Sequence, residues 1–316
     1  MKEIGGYFQL DEFYGTEYYE GLISLNSARN ALLYILRAKK VKNVYIPYFL
    51  CDSISEVLRV NGYSFQYYKL NSDFTPIFNK KLGNDEYLYI VNYYGQLKNE
   101  KILCLKEKYQ QIIIDNTQAF FQKPIDDIDT IYSCRKFFGV ADGAYVSTKS
   151  RVIEEISIDI SKDRMKHILG RYEGSAEKYY ENFTENEKYL DVVELKCMSK
   201  LTHNILKAID YEKVKEIRRE NYQFLASNLN YLNGIKCEIN DGPFAYPFYI
   251  ENGVDIRKIL AKKKIYIPTL WPNVLLDTDE NDIENKYTKN ILPLPCDQRY
   301  KTDDMNYLID QLIKSL

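Results

Sequence analysis

Histidine is scarce in this chain and cysteine is dispersed: there are two His and six Cys among 316 residues. Cys51, Cys104, Cys134, Cys197, Cys237 and Cys296 form no C-x-x-C pair, so neither a zinc site nor a disulfide framework is signalled, and they read as reduced thiols. His167 and His203 are far apart, which leaves no metal triad and no Ser-His-acid arrangement to build. No sign of charge dominates either. Lys and Arg number 43 against 45 Asp and Glu, a formal net charge of −2, so no excess of positive charge is available to neutralise a nucleic-acid backbone. No run approaches the roughly 20 apolar residues of a membrane span. The opening MKEIGGYFQLDEFYG has no leader-like apolar stretch. A cytoplasmic protein that engages neither membrane nor nucleic acid is expected.

What is present suits a packed globule: 45% of residues are hydrophobic and 28% charged. The length suits two domains. Thirty tyrosines are spread along the chain and read as a compositional bias without function.

The first half alternates helix and strand patterns. A helix is expected over Ser27 to Ala38, then a strand from Asn43 to Ile46 stopped by Pro47, a helix over Ser53 to Val60, and a strand from Ser64 to Tyr68. Tyr87 to Val91, a helix over Asn99 to Tyr109, and Gln111 to Ile114 continue the pattern, with short strands at Thr130 to Tyr132 and Ala144 to Ser147. Such alternation predicts an α/β fold with a mainly parallel, helix-covered sheet and ligands at the carboxyl ends of its strands. After Arg151 the chain turns charged and helical. A large domain over residues 1–210 and a smaller α+β domain over 211–316 are expected, the latter with strands at Ile235 to Glu238, Ala245 to Ile250 and Ile265 to Ile267.

Two segments carry candidate chemistry. Asp115 emerges from the apolar run QIII; it suits a carboxylate that holds a protonated ring nitrogen, or a helix N-cap. The loop Ser133-Cys134-Arg135-Lys136-Phe137-Phe138-Gly139 holds a lysine backed by aromatics. Partial desolvation is what turns such an amine into a Schiff-base former, although most lysines are simply solvated. Asn26-Ser27-Ala28-Arg29 at a helix start suits a phosphate.

In this order the segments SARNALLYIL, VYIPYFLCDSISEVLRVNGYSFQYYKL, YIVNYYGQ, IIIDNTQAFF and SCRKFFGVADGAYVST resemble the DegT/StrS sugar aminotransferase family, pyridoxal-phosphate enzymes of fold type I. The likeness continues through PFAYPFYI, IYIPTLW and LPCDQRY. It implies that Lys136 attaches the cofactor and shuttles a proton, and that Asp115 pairs with the pyridinium nitrogen. Gln118 would lie near the phenolic oxygen. Ser133 and the helix start Ser27, Ala28 and Arg29 would bind phosphate, and one of Tyr48, Phe49 or Cys51 would lie against the ring. Two residues separate Ser133 from Lys136 where the family has more, Ala28 stands for its usual glycine, and Ala141-Asp142-Gly143-Ala144 for its Gly-Glu-Gly-Gly.

The resemblance further implies a homodimer, a glutamate or glutamine amino donor, and a nucleotide-linked keto-sugar acceptor destined for a surface polysaccharide or modified glycan. Arg171, Lys200, His203, Arg299 and the run Lys262-Lys263-Lys264 are the candidates for substrate contacts, with Trp271 lining a pocket or docking the small domain. The alternatives are a small keto-phosphate substrate, or a cofactor-binding regulatory protein of the same fold.

Overall fold

The computed structural model describes residues 4–316. Eight strands form the main sheet: β1 (Ile23–Leu25), β2 (Asn43–Pro47), β3 (Ser64–Leu70), β4 (Pro76–Ile77), β5 (Glu86–Val91), β6 (Ile112–Asp115), β7 (Asp129–Ser133) and β8 (Ala144–Ser147), in the order β1-β8-β7-β6-β5-β2-β3-β4. The run β3-β2-β5-β6-β7 is parallel. Antiparallel β8 and β1 close one edge and β4 the other. Helices α1 (Ala28–Lys39), α2 (Asp52–Val60) and α3 (Asn99–Tyr109) make the crossovers.

The reason lies in the apolar runs. Ile112, Ile113 and Ile114 are all buried, as a strand covered on both faces requires, and each contributes on the order of 1.5–3 kcal/mol. A parallel arrangement then points β2, β5, β6 and β7 the same way, so Pro47, Val91, Asp115 and Ser133 all finish at one edge of the sheet.

Past β8 come α4 (Lys166–Glu173), α5 (Tyr180–Val192) and α6 (Lys200–Lys207), followed by the 19-residue α7 (Tyr211–Leu229). A second sheet pairs β9 (Tyr246–Tyr249) with β10 (Ile291–Leu294), flanked by α8 (Gly253–Lys262), α9 (Val274–Asp277), α10 (Ile283–Asn290) and α11 (Thr302–Ile313). Its core gathers Leu225, Leu229, Phe248, Leu260, Leu292, Leu308 and Leu312. The expected division at 210/211 falls between α6 and α7.

The stretch 270–290 nevertheless returns to the main sheet. Glu284 Oε1 accepts from the Leu70 N–H at 2.6 Å, and the Tyr287 hydroxyl donates to the Ser72 carbonyl at 2.9 Å.

Two expected strands are absent. Glu238 exchanges both backbone bonds with the Gln96 side-chain amide, at 2.8 and 2.9 Å, which takes the place of a neighbouring strand. The Ile265 N–H turns back to the Leu260 carbonyl at 3.0 Å and ends α8, with Lys264 in the left-handed region. Conversely, β10 contains a proline that argues against a strand. Pro293 lies opposite Pro247, and a pair lacking both N–H groups fits a position where the ladder needs no donor.

Candidate active site

β6 delivers Asp115 to the carboxyl edge with 5% of its surface exposed. No helix follows it. Asp115 Oδ1 accepts the Thr117 N–H at 2.7 Å in an Asx turn, so the helix-cap alternative fails. Its other oxygen accepts the Tyr89 hydroxyl at 2.7 Å.

The loop after β7 brings Lys136 across from this carboxylate, and its Nζ donates to Thr117 Oγ1 at 2.8 Å. Protein packs closely around the amine, and that desolvation lowers the ammonium below the ordinary lysine value. Asp115 and Cys51 oppose the shift, while Arg29 and Arg135 add to it. Solvent still reaches the Lys136 side chain, which limits how far the lowering goes.

The loop is bolted from behind. Asp142 accepts from the Ser199 N–H and hydroxyl, both at 2.8 Å, and from the Thr202 hydroxyl, fastening it to the start of α6. Gly143 has φ +118°, and a Cβ there would meet Thr202 Cγ2 at 3.0 Å and Cys134 Cβ at 3.2 Å, so glycine is required. Beyond the lysine, the Phe137 carbonyl accepts from Gln298 at 2.7 Å and from buried Arg218 at 3.3 Å.

The phosphate-side candidates lie nearby. Ser27 caps α1 by accepting the Asn30 N–H at 3.2 Å, and the adjoining Asn26 carbonyl accepts the Gly143 N–H at 2.7 Å, joining the helix start to the lysine loop. The first-turn N–H groups of Ala28 and Arg29 have no carbonyl one turn back to bond. The Ser133 hydroxyl bonds to none of the described residues. Arg29 itself faces α5, at 3.0 Å from Asp191 and 3.7 Å from Glu187, and Glu187 also pairs with Arg135. Gln118 is buried, and its Oε1 accepts the Tyr94 N–H at 2.8 Å, which reserves its Nε2 as the outward donor.

The three ring-face candidates separate. Phe49 is fully buried against Tyr93 and Trp271, and Tyr48 stacks on Tyr67 at 4.7 Å. Cys51 is part-buried and stands at the N-cap of α2.

The substrate candidates do not form one group. Trp271 packs edge-on to Phe49 at 4.7 Å, while Arg299 grips Asp297 through two bonds of 2.6 and 2.8 Å. His203 Nδ1 lies 2.7 Å from Glu17 Oε1. Arg171, Lys200 and the lysines 262–264 are exposed. A cavity of about 300 Å³ lined by Gly95, Asn99, Ala119, Gln122, Asn240 and Asp241 is separate from Lys136 and Asp115. Among the described residues no cluster of metal-ligating side chains occurs.

Thr117 and Tyr89 carry no sequence signal of their own as site residues. Tyr89 could be found only from the pairing of β5 with β6, and Thr117 only from the return of the loop after β7, neither of which sequence alone gives.

No protein-family model and no curated protein matches the sequence. Solved structures do match it. A DegT DnrJ EryC1 StrS aminotransferase from Brucella abortus superposes with a TM-score of 0.61 at 15% identity over 93% of this chain and 86% of that one. The fold is that of the sugar aminotransferases. The sugar aminotransferase CalS13 from Micromonospora echinospora gives 0.59 at 11% identity, covering 93% and 87% of the two chains. NtdA from Bacillus subtilis, solved with bound PMP, gives 0.62 at 15% identity, covering 93% and 73%.

Proposed function

We propose that this chain is a pyridoxal-phosphate-dependent aminotransferase that moves an amino group from glutamate or glutamine to a nucleotide-linked keto-sugar, in the assembly of a surface polysaccharide or modified glycan. The observation that carries the reading is the meeting of Lys136 and Asp115 through Thr117 at the carboxyl edge of a parallel sheet.

The residues present fit the cofactor. Lys136 offers an amine whose proton is loosened by the protein packed around it, Asp115 a buried carboxylate, and Ser133 a hydroxyl with no bond to the described residues, suited with the start of α1 to phosphate. When bound, pyridoxal phosphate supplies the electron sink that lets an amino group pass between substrates. Lys136 would hold it covalently and carry a proton on Nζ. Asp115 would keep the ring nitrogen protonated, Gln118 Nε2 would donate to the phenolic oxygen, and Cys51 would lie against the ring. Ser27, Ala28 and Arg29 would hold phosphate through the start of α1, with Arg29 contributing its backbone because its side chain is engaged by α5.

We also infer a homodimer with the site at the subunit boundary. In support, the stretch from β8 through α5 exposes Ile153, Ile160, Leu169, Tyr172 and Val192. No helix among the described residues is long and apolar enough to cross a membrane, and six unpaired thiols suit the cytoplasm. A small keto-phosphate is the second reading of the acceptor, favoured by one observation: Arg299, a candidate diphosphate anchor, is already neutralised by Asp297.

Borohydride treatment with pyridoxal phosphate followed by peptide mapping should mark Lys136; label elsewhere, or none at saturating cofactor, refutes the assignment. Presenting the pyridoxamine form with nucleotide-linked keto-sugars and simple keto-phosphates then separates the acceptors. Failure of every amino donor to convert the bound cofactor favours a regulatory binding protein.

A further inference from the structure

Asp115 is gripped from below as well as from its own turn. Val91 pairs with Asp115 and Tyr89 with Ile113 in the parallel ladder, so Tyr89 lies one pleat behind the carboxylate on the same face of the sheet. From there its phenol donates to Asp115 Oδ2 at 2.7 Å, while Oδ1 takes the Thr117 N–H at 2.7 Å. The Tyr89 strand position is itself held, since its carbonyl accepts the buried Tyr68 hydroxyl at 2.7 Å. Tyr89 is fully buried, where a hydroxyl is costly unless it is paired and phenylalanine would fill nearly the same space. Burial, with Asp115 beside it, drives the phenol well above its ordinary value, so it stays a donor at any working pH.

We propose that Tyr89 is a positioning residue for Asp115: together with the Thr117 N–H it fixes the plane of the carboxylate so that a lone pair faces the space where a protonated ring nitrogen binds. This rests on the aminotransferase reading above and assigns a role to one of the tyrosines.

A double-mutant cycle on cofactor affinity tests it, read by quenching of intrinsic fluorescence in wild type, Tyr89→Phe, Asp115→Ala and the double variant, with thermal unfolding as the check of folding. Each is titrated with pyridoxal phosphate and with the analogue in which a ring C–H replaces the pyridine nitrogen. A hydrogen bond to a charged group is lost in Tyr89→Phe, so pyridoxal phosphate should bind about 10-fold more weakly. The same substitution should change affinity less than about 2-fold in the Asp115→Ala background and toward the analogue, because additivity fails only for coupled groups. Equal losses in both backgrounds and with both ligands, or no loss at all, overturn the proposal and leave the aminotransferase reading standing. Wild type that binds neither ligand overturns both.

Discussion

Lys136, carried by the loop after β7, and Arg218, which reaches the same loop from α7, are two cations treated in opposite ways. Arg218 is 1% exposed and each of its three nitrogens has an acceptor: it donates to Gln298 at 2.8 Å, to the Pro243 carbonyl at 2.9 Å and to the Phe137 carbonyl at 3.3 Å, and its Cζ lies over the Phe137 ring. Lys136 has a single neutral acceptor, Thr117, and remains open to solvent. Both are lowered by desolvation, yet only the lysine can give up its proton in a usable range, since a guanidinium stays charged. One face of the loop is fastened so that the other can be left reactive.

The sharpest test of that division is substitution on each side. Lys136→Ala should abolish covalent cofactor attachment and reduce amino transfer by about 10³-fold or more while the melting midpoint moves by only ~2 °C. Arg218→Ala should do the reverse in kind, costing about 2–4 kcal/mol in urea unfolding by leaving buried carbonyls without donors. Arg218→Lys should recover little, because an ammonium lacks the planar fork that spans Gln298, Pro243 and Phe137. An Arg218→Ala protein as stable as wild type would break the comparison.

A second test follows the amine with pH. Attachment needs neutral Lys136, so its rate should rise with pH around a midpoint below the ordinary 10.5. Thr117→Val removes an acceptor that favours the ammonium, and the midpoint should fall further. Stopped-flow absorbance across pH 6–10 measures both, and a midpoint at the ordinary value would show that the loop leaves the lysine unperturbed.

The smallest effect belongs to Arg299, a cation fully paired but half in water. Burial raises the Asp297 carboxyl, and the bonds from Arg299 outweigh this and hold it below the ordinary aspartate value. A depressed carboxyl contributes stability above its unfolded pKa and loses it as pH falls through the folded one. Asp297→Asn should therefore cost no more than about 1 kcal/mol at pH 7 and nothing in acid, by urea titration. A larger loss would place this pair with Arg218 as a structural clamp.

Much of the main sheet was legible because each apolar run matched a strand covered on both faces, and the end of QIII led directly to Asp115. The strand expected at Ala245 to Ile250 is there as β9 despite Pro247, whereas its partner β10, with Pro293 opposite Pro247, was not expected. Tyrosine misled. Thirty of them look like bias in a list of residues, but Tyr68, Tyr89 and Tyr93 are fully or nearly fully buried at the strand ends, donating to the Tyr89 carbonyl, the Asp115 carboxylate and the Phe49 carbonyl.

The sequence alone therefore determined the alternation of elements and put Asp115 at the end of a buried strand, where ligands of such sheets bind, while Lys136 was singled out by the resemblance of the ordered segments and not by local pattern. Only the tertiary structure decided that Phe49 is buried and Tyr48 stacked on Tyr67, that Arg29 is claimed by α5, and that Tyr89 reaches Asp115. Those choices depend on register between strands and on helices more than 100 residues away, and no local pattern encodes which of several chemically suitable side chains the fold will turn inward.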